Sequence, residues 1–346
     1  MRGREGSEIQ IARFKPTDDD EALDLERRCP QGEKLRLSFR RESFQLRSRS
    51  FPEWAIWTAR VRGRLVGITA SAIKPAELLG RRIRAAFAYD LRVDPDYRGM
   101  GIARELMAVA HEWAFEHGEV GYTYTVADNR AAEHLISSFG AVRSGGYDYL
   151  ITAACRELPH GDASTISPEA AHQRHLDGEG PFDFYTPPDW DRMRAGHVRS
   201  WLVEAGSNSA SCSAWDNSAI LGETIEAVPL SIQTARLASR LPVLRHRNWP
   251  HLPRVGEAIR SWYLFDVTAA SSAAARTLAR AVTREAMECG VDWLYWIAPD
   301  GVSWKEAVCA DAPRMASLRL RYLRMFQHRD SPAQLTGTSY VDVRDV

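Results

Sequence analysis

Phe87-Ala-Tyr-Asp-Leu-Arg-Val-Asp-Pro-Asp-Tyr-Arg-Gly-Met-Gly-Ile-Ala-Arg-Glu-Leu-Met107 is the stretch that decides the fold of this chain. Its first part, residues 87–93, is apolar enough for a buried or half-buried strand. A turn is indicated at residues 94–96, where proline fixes φ and aspartate favours a turn. From Ile102 onward the apolar residues recur at helical spacing. The stretch therefore predicts a strand, a glycine-bearing loop and a helix in succession.

The loop between this strand and helix contains Gly99 and Gly101. The first backbone N–H groups of a helix have no partner within the helix, and the helix dipole is positive at that end. Glycine removes the Cβ atoms that would hold a diphosphate away from those amides. Two glycines alone are equally consistent with an ordinary tight turn, so the surrounding residues have to decide.

The whole segment Val93-Asp-Pro-Asp-Tyr97-Arg-Gly-Met-Gly-Ile-Ala103 resembles the acyl-CoA-binding motif of the GNAT superfamily of N-acetyltransferases. In this chain the motif reads Arg98-x-x-Gly101-x-Ala103. A second segment, Asn129-x-x-Ala132-x-x-Leu135-x-x-x-x-Gly140, is similar to the motif that follows in the same superfamily. The resemblance spans about residues 9–152. It implies an α/β fold, with a mixed sheet and flanking helices.

The composition limits the class of protein. The chain has 346 residues, 45% of them apolar, with 45 basic and 45 acidic residues and thus no net charge. Nothing in this balance steers the whole molecule to nucleic acid or to a membrane, and we expect neither as a partner. Five scattered cysteines without Cys-x-x-Cys spacing indicate reduced thiols in a cytoplasmic protein, with no metal site.

The order of predicted elements in the first half agrees with the resemblance. Strands are predicted at residues 9–14, 54–61, 65–73, 87–93, 122–126 and 147–151. Helices are predicted after an acidic cap at residues 17–20, across residues 38–49, from Ile102 and over residues 130–138. Arg62-Gly63-Arg64 joins two of the strands as a tight hairpin.

The second half repeats this order at low sequence similarity. A helix is predicted from Pro187 to Trp201, a hairpin around residues 212–228, a strand at 261–267, a helix at 273–289 and strands at 293–297 and 339–343. The loop at residues 269–276 has lost the glycine pattern. We therefore predict two GNAT-like domains in tandem. A loose tail (1–8) precedes the first domain (9–154), and a linker (155–180) precedes a diverged second domain (181–346).

The resemblance implies where acyl-CoA binds. The diphosphate is expected on the loop amides of six consecutive residues: Arg98, Gly99, Met100, Gly101, Ile102 and Ala103. The pantetheine arm is expected to pair with the backbone of Leu91, Arg92 and Val93, where two parallel strands splay apart. Asn129, at the start of the next helix, is expected to flank the same site.

The sequence indicates the catalytic groups less clearly than it indicates the acyl-CoA site. The tyrosine that the superfamily often uses as general acid falls at Ile136 in this chain, which has no proton to give. The candidates for proton transfer are Tyr89 and Asp90, on the strand before the loop. The alternative interpretation of Tyr89 is a packed aromatic residue. Asp90 could instead anchor the substrate, or it could be an edge charge or the partner of a helix.

The resemblance implies an acetyl-CoA-dependent N-acyltransferase, in which a small-molecule or peptide amine attacks the thioester directly. Acetyl-CoA would be its co-substrate, and the chain would act as a monomer or homodimer. Two alternatives stay open. One is a non-catalytic acyl-CoA-binding regulatory protein, and the other is a transferase of aminoacyl or other acyl groups on the same scaffold.

Overall fold

The computed structural model describes residues 9–32, 35–154, 162–180, 182–193, 197–205, 208–241, 251–312, 317–329 and 338–345. The predicted tail at residues 1–8 and the first part of the predicted linker, residues 155–161, lie outside this set. In the described residues, no helix combines the length and the apolar character needed to cross a bilayer.

The first half of the chain has seven described strands and three described α-helices. Its strands are β1 (Ile9–Arg13), β2 (Arg36–Arg40), β3 (Glu53–Val61), β4 (Arg64–Leu78), β5 (Arg81–Val93), β6 (Val120–Val126) and β7 (Val142–Ala153). Its helices are α1 (Asp19–Arg28), α2 (Ile102–His117) and α3 (Arg130–Ser137). Short 3-10 helices occur at Phe44–Leu46, Ser48–Ser50 and Pro95–Tyr97.

The second half has more strands than helices. The strands are β8 (Ser164–Ile166), β9 (Phe182–Asp183), β10 (His197–Ala205), β11 (Asn208–Asp216), β12 (Gly222–Ala227), β13 (Ala258–Ile259), β14 (Ser261–Ala269), β15 (Trp293–Pro299), β16 (Ser317–His328) and β17 (Thr338–Ser339). The helices are α4 (Pro168–Glu179), α5 (Trp190–Met193), α6 (Leu230–Ala238), α7 (Ser272–Glu288) and α8 (Lys305–Cys309), and a 3-10 helix spans Val343–Asp345.

One mixed sheet of twelve described strands runs through both halves, in the order β1-β3-β4-β5-β6-β16-β7-β15-β14-β11-β10-β8. The pairs β5–β6 and β14–β15 are parallel, and in each half a long helix connects the two strands of the pair. The strand–helix–strand unit is therefore repeated. The predicted α/β fold with two GNAT-like domains in tandem is confirmed.

The two halves share the sheet because strands cross between them. Strand β16 of the second half lies between β6 and β7 of the first, antiparallel to both. Strand β7 in turn pairs with β15 along its other edge. The predicted linker also contributes a strand, since β8 pairs with β10 at the far edge of the sheet.

Four predicted elements differ from the structure. Residues 38–49 form the end of β2 and two 3-10 turns, because β2 pairs with β12 of the second half. The predicted helix at 187–201 stops at Met193 and continues as β10, which pairs with β11 along its whole length. Residues 219–228 contain β12, which pairs with β2 and β13. Residues 339–343 end in a 3-10 helix, not in a strand.

Helix α2 packs closely on β4 because Gly67 faces it. A Cβ atom on Gly67 would lie 2.8 Å from Ile102 Cγ2 and 2.9 Å from Leu106 Cδ1. Both of these helix residues are buried against the sheet. The glycine therefore sets the distance between the sheet and the helix whose N-terminus begins the predicted phosphate site.

We expect Gly67→Val to lower the free energy of unfolding by about 1–3 kcal/mol, because the added methyl groups overpack this contact. Urea denaturation followed by circular dichroism measures the change. Gly178→Ala in α4 is the control, since its Cβ would meet Thr268 Cγ2 at an ordinary 3.7 Å. It should raise stability by up to about 1 kcal/mol through helix propensity. Equal stability of Gly67→Val and the wild type would contradict the close packing.

Candidate functional site

The loop between β5 and α2 is built around the buried carboxylate of Asp94. That carboxylate accepts hydrogen bonds from Arg28 Nε at 3.0 Å, from Arg64 Nη2 at 3.1 Å and from the Asp96 backbone N–H at 3.1 Å. The Asp94 N–H in turn donates to the Val66 carbonyl, at 2.9 Å. Three of these bonds hold the start of the loop to β4 and to α1, and the bond from Asp96 closes the turn within the loop.

The two glycines of the loop adopt conformations that other residues avoid. Gly99 has φ +78° and Gly101 has φ +87°, both in the left-handed region. A Cβ atom at either position would meet nothing within 4 Å. The glycines are therefore required by backbone conformation, and the space over the loop is open.

The N-terminus of α2 lacks a side-chain cap. Gly101 is its N-cap residue and has no side chain to accept from the first amides. By contrast, Asn129, Ser167 and Ser271 cap α3, α4 and α7 by accepting from backbone N–H groups at 3.1–3.2 Å. The first turn of α2 thus presents amides with no side-chain partner among the described residues, which suits an anion.

Strands β5 and β6 are hydrogen-bonded neighbours for only part of their length. Their parallel pairing covers Ala85–Phe87 and Val120–Tyr122, with Phe87 opposite Tyr122 as the last pair. Beyond this point β5 continues to Val93 beside β4 only, while β6 pairs with β16. The two strands therefore splay apart. The predicted pantetheine-binding residues Leu91, Arg92 and Val93 lie on the open edge.

A β-bulge lies at the splay. The pairing of β4 with β5 shifts register between Ile68 and Ala70, and Asp90 on β5 has φ +54°. The second half repeats this feature, with Asp266 on β14 at φ +51°. Non-glycine residues with such φ values are uncommon and concentrate at functional sites.

Asp90 forms a buried ion cluster. Its carboxylate contacts Arg41 Nη2 at 3.0 Å, Arg47 Nη1 at 3.1 Å and Arg92 Nη2 at 3.4 Å. Burial raises the pKa of Asp90, but the charges of Arg41, Arg47 and Arg92 outweigh it and hold that pKa well below its usual value. A carboxylate this acidic is a poor proton acceptor. The arrangement argues against the predicted role of Asp90 as general base.

Tyr89 is buried on the opposite side of the strand from Leu91. Its hydroxyl donates to Ser48 Oγ at 2.8 Å, and its ring stacks on Phe87 at 5.1 Å. Burial raises its pKa well above the usual value. The structure thus places Tyr89 in the core as a packed aromatic residue and argues against its predicted role as proton carrier.

Two other predicted positions have identified structural partners. Asn129 is the N-cap residue of α3, and its Oδ1 accepts a hydrogen bond from the Ala132 N–H. The Arg92 guanidinium donates to Glu26 Oε1 at 2.8 Å, so only the backbone of Arg92 is left for a cofactor. Ile136, at the position where the resemblance places a tyrosine, is buried against Met107 and Met325.

A second group at the splay was missed by sequence reasoning. Lys74, buried in β4, donates from Nζ to Asp342 Oδ2 at 2.9 Å and to Asp345 Oδ1 at 2.6 Å. Asp345 Oδ2 accepts from the Tyr122 hydroxyl at 2.7 Å. The Asp345 carbonyl accepts from Arg47 Nη2 at 2.9 Å, and Arg47 also binds Asp90.

These contacts link Asp345 to both sides of the splay, through Tyr122 on β6 and through Arg47 to Asp90 on β5. On β5, Ala86 packs against α2, so the residues on either side of it, at 85 and 87, face the other way. Lys74 and Tyr122 are paired with those two residues and therefore also face away from α2. The 3-10 helix at Val343–Asp345 therefore covers the splay from the face opposite the glycine loop. Burial raises the pKa of Asp345, and the negative charge of Asp342 adds to that rise.

Residues 20–141 match the model of the acetyltransferase (GNAT) family. The chain therefore carries a GNAT domain. The glycine loop, the splay and α3 all belong to this matched segment. No curated protein sequence matches the chain.

Solved structures extend the similarity of the GNAT domain to the whole chain. N-myristoyltransferase of Saccharomyces cerevisiae, crystallised with myristoyl-CoA and inhibitors, superposes with a TM-score of 0.54 at 10% identity, over 97% of this chain and 87% of that one. A candidate acetyltransferase of Pyrococcus horikoshii superposes with a TM-score of 0.52 at 11% identity, over 98% and 96% of the two chains. At such identities the likeness shows a shared fold.

Proposed function

We propose that this protein is an N-acyltransferase that binds acetyl-CoA at the loop of residues 98–103 and transfers the acetyl group to an amine. The observation that carries the proposal is the glycine loop at the mouth of the β5–β6 splay. Its glycines require positive φ, the space over it is open, and the first amides of α2 have no side-chain cap. The GNAT match covers the same residues.

The cofactor would use the backbone of the GNAT domain more than its side chains. The diphosphate would accept hydrogen bonds from the amides of residues 98–103, and the Arg98 guanidinium is exposed beside them. The pantetheine amides would pair with the free edge at residues 91–93. Below the splay, the rings of Phe87, Tyr89 and Tyr122 pack at 5.1–5.2 Å. This filled face supports a short acyl group such as acetyl.

The transfer step needs geometry and a route for one proton. The amine nitrogen would attack the thioester carbon, the C–S bond would break, and CoA would leave as the thiolate. Backbone amides at the open edge of β5 are available to the carbonyl oxygen as negative charge develops on it. The proton lost by the amine would pass to the Asp345 carboxylate, which accepts a hydrogen bond from Tyr122 at the last β5–β6 pair, where the splay begins.

The raised pKa of Asp345 supports this role, because a general base works best when its pKa approaches the working pH. We expect Asp345→Asn to lower kcat by about a hundredfold or more, while acetyl-CoA affinity stays within about threefold. The low-pH limb of the kcat/KM profile should disappear with it. Thiol release from acetyl-CoA, followed colorimetrically across a panel of primary amines, measures these quantities.

Asp342→Asn is the matched control for Asp345→Asn. Burial opposes ionisation of Asp342, but Arg344 and Lys74 outweigh it and lower its pKa, so Asp342 carries no usable basicity. This variant should retain the low-pH limb of the profile. A wild-type kcat in Asp345→Asn would remove Asp345 from the mechanism and leave the acyl-CoA site untouched.

A second candidate is an acyl-CoA-binding regulatory protein without turnover. Ile136 in place of a tyrosine favours it, as does the burial of Asp345. Calorimetric binding of acetyl-CoA without thiol release on any amine would support this candidate. Absence of acetyl-CoA binding would contradict both candidates.

A further inference from the structure

The surface of α6 carries an unusual concentration of exposed apolar side chains. Eight large apolar side chains are exposed in the described residues, and four of them lie on or beside α6: Leu230, Leu237, Leu241 and Val255. Their exposed fractions run from 54% to 76%. Ile232 and Ala235, on the other side of the helix, are buried. The exposed leucines are therefore not needed to hold α6 to the protein.

A basic groove lies beside this apolar surface. It has a volume of about 420 Å³ and is lined by Val228, Gln233, Arg236, Arg240, Arg254 and Val255. No acidic side chain is part of this lining. Arg236 donates weakly to the Pro253 carbonyl at 3.5 Å, and none of the three arginines forms an ion pair within the described ranges. The carboxylate of Glu257, close in sequence to Arg254, is bound to His251 and to the Arg254 backbone.

We propose that this face, defined by Leu230, Leu237, Leu241, Val255 and the three arginines, docks on an anionic phospholipid surface. A helix lies in the membrane interface when it places apolar residues about 5–10 Å into the headgroup boundary and keeps basic residues at the phosphates. Leu230 and Leu237 are two helical turns apart on one side of α6, and Leu241 follows one turn later. The chain has no net charge, so the attraction is local to this face.

The geometry favours a bilayer over other occupants. The three leucines project outside the groove and are not part of its lining. An acidic peptide in the groove would leave them in water, and nucleic acid would gain nothing from them. A second copy of the chain on a twofold axis would bring three arginines against three arginines. A bilayer surface can contact the arginines and the leucines at the same time. Its phosphates would lie at the arginine-lined groove, and the leucines would enter the headgroup boundary.

Sedimentation of the full chain with vesicles tests the proposal, using phosphatidylcholine alone and with about one third phosphatidylglycerol. We expect binding to the anionic vesicles only. The triple variant Arg236→Gln, Arg240→Gln, Arg254→Gln should weaken that binding about a hundredfold. Each basic residue near such a surface contributes about 1 kcal/mol to the binding free energy. Leu237→Ser with Leu241→Ser, which removes apolar surface without changing charge, should weaken it at least about tenfold.

Matched controls separate docking from a general loss of charge or apolar surface. Arg62→Gln with Arg81→Gln and Arg82→Gln removes the same charge from exposed residues elsewhere, and Val142→Ser changes an apolar residue of similar exposure without adding charge. Both controls should bind as the wild type does. Circular dichroism verifies that every variant is folded.

Four outcomes would overturn the proposal. The first is no binding of the wild type to anionic vesicles. The second is unchanged binding in the leucine variant, which would indicate charge adsorption alone. The third is a dimer by light scattering that the leucine substitutions dissociate, which would make the face a contact between copies. The fourth is binding of an acidic leucine-rich peptide by a protein that ignores vesicles.

Discussion

Gly101→Glu should abolish acetyl-CoA binding and leave the protein folded. The glutamate would place bulk and negative charge over the first amides of α2, where the diphosphate is proposed to lie. Nothing lies within 4 Å of a Cβ at this position, so the side chain has room in the protein alone. We expect calorimetry to show a loss of affinity of at least about a hundredfold, which corresponds to about 3 kcal/mol.

The backbone strain of this substitution needs its own control. Gly301 has φ +85° and also has open space around its Cβ position, but it follows β15 in the second half. Gly301→Glu should therefore lower the free energy of unfolding by about 1–2 kcal/mol, as Gly101→Glu does, but leave the affinity for acetyl-CoA unchanged. Gly101→Asn adds a side chain that tolerates left-handed backbone without a charge, and it should bind more tightly than Gly101→Glu. Wild-type affinity in Gly101→Glu would contradict the site.

Lys74→Met should destabilise the protein by about 3–5 kcal/mol at neutral pH. Lys74 Nζ bonds two buried carboxylates, on Asp342 and Asp345. Removal of the cation leaves Asp342 paired with Arg344, but it leaves Asp345 with the neutral Tyr122 hydroxyl and no paired cation among the described residues. Breaking a buried pair in this way leaves a negative charge without compensation. Urea denaturation gives the change in the free energy of unfolding.

The loss of stability in Lys74→Met should depend on pH in a definite direction. Burial already raises the pKa of Asp345, and removal of Lys74 raises it further. An acid whose pKa is higher in the folded state than in the unfolded state loses stability as pH rises between the two values. The defect should thus be larger at pH 8 than at pH 5, by roughly 1 kcal/mol or more.

Lys305→Met is the matched control for Lys74→Met. Lys305 also bonds a buried carboxylate, on Asp148 at 2.9 Å, but Asp148 keeps Arg319 at 2.7 Å when the lysine is lost. Its cost should be less than half that of Lys74→Met. If the two variants are equally stable, the segment at Tyr340–Asp345 does not depend on Lys74.

The loop proposed to bind acyl-CoA could be located in the sequence because its determinants are local. Gly99, Gly101 and the turn at Asp94 act within ten residues of one another. The strand-to-helix order around them is set by period-two and helical patterns that a single segment contains. The local sequence also indicated that residues 269–276 of the second half lack the glycine pattern. There Ser271 caps α7, and its hydroxyl accepts from the Ala274 N–H.

The elements that were missed or wrong depend on pairing between the two halves. β2 forms because β12, far along the chain, lies beside it. β16 has a period-two signal, with Leu318, Leu320 and Tyr322 alternating with arginines, but only the fold shows that it enters the first half's sheet. Asp345 gives no sign in the sequence that it reaches Tyr122 across 223 positions.

The same reasoning explains why the contacts of Tyr89 and Asp90 were not predicted. The sequence places both on the strand before the loop, which is correct. Arg92 lies two residues away on the same strand, but the sequence contains no signal that Arg41 and Arg47, more than 40 positions earlier, also contact Asp90. Predictions about proton transfer depend on these distant partners, whereas predictions about the loop backbone do not.

Hydrogen exchange with mass spectrometry, with and without acetyl-CoA, tests the central claim most directly. Acetyl-CoA should slow the exchange of backbone amides at residues 88–103, along the open edge of β5 and the loop. No change should occur at residues 265–276, the corresponding part of the second half. Protection at 265–276 alone, or at neither segment, would contradict the assignment of the acyl-CoA site.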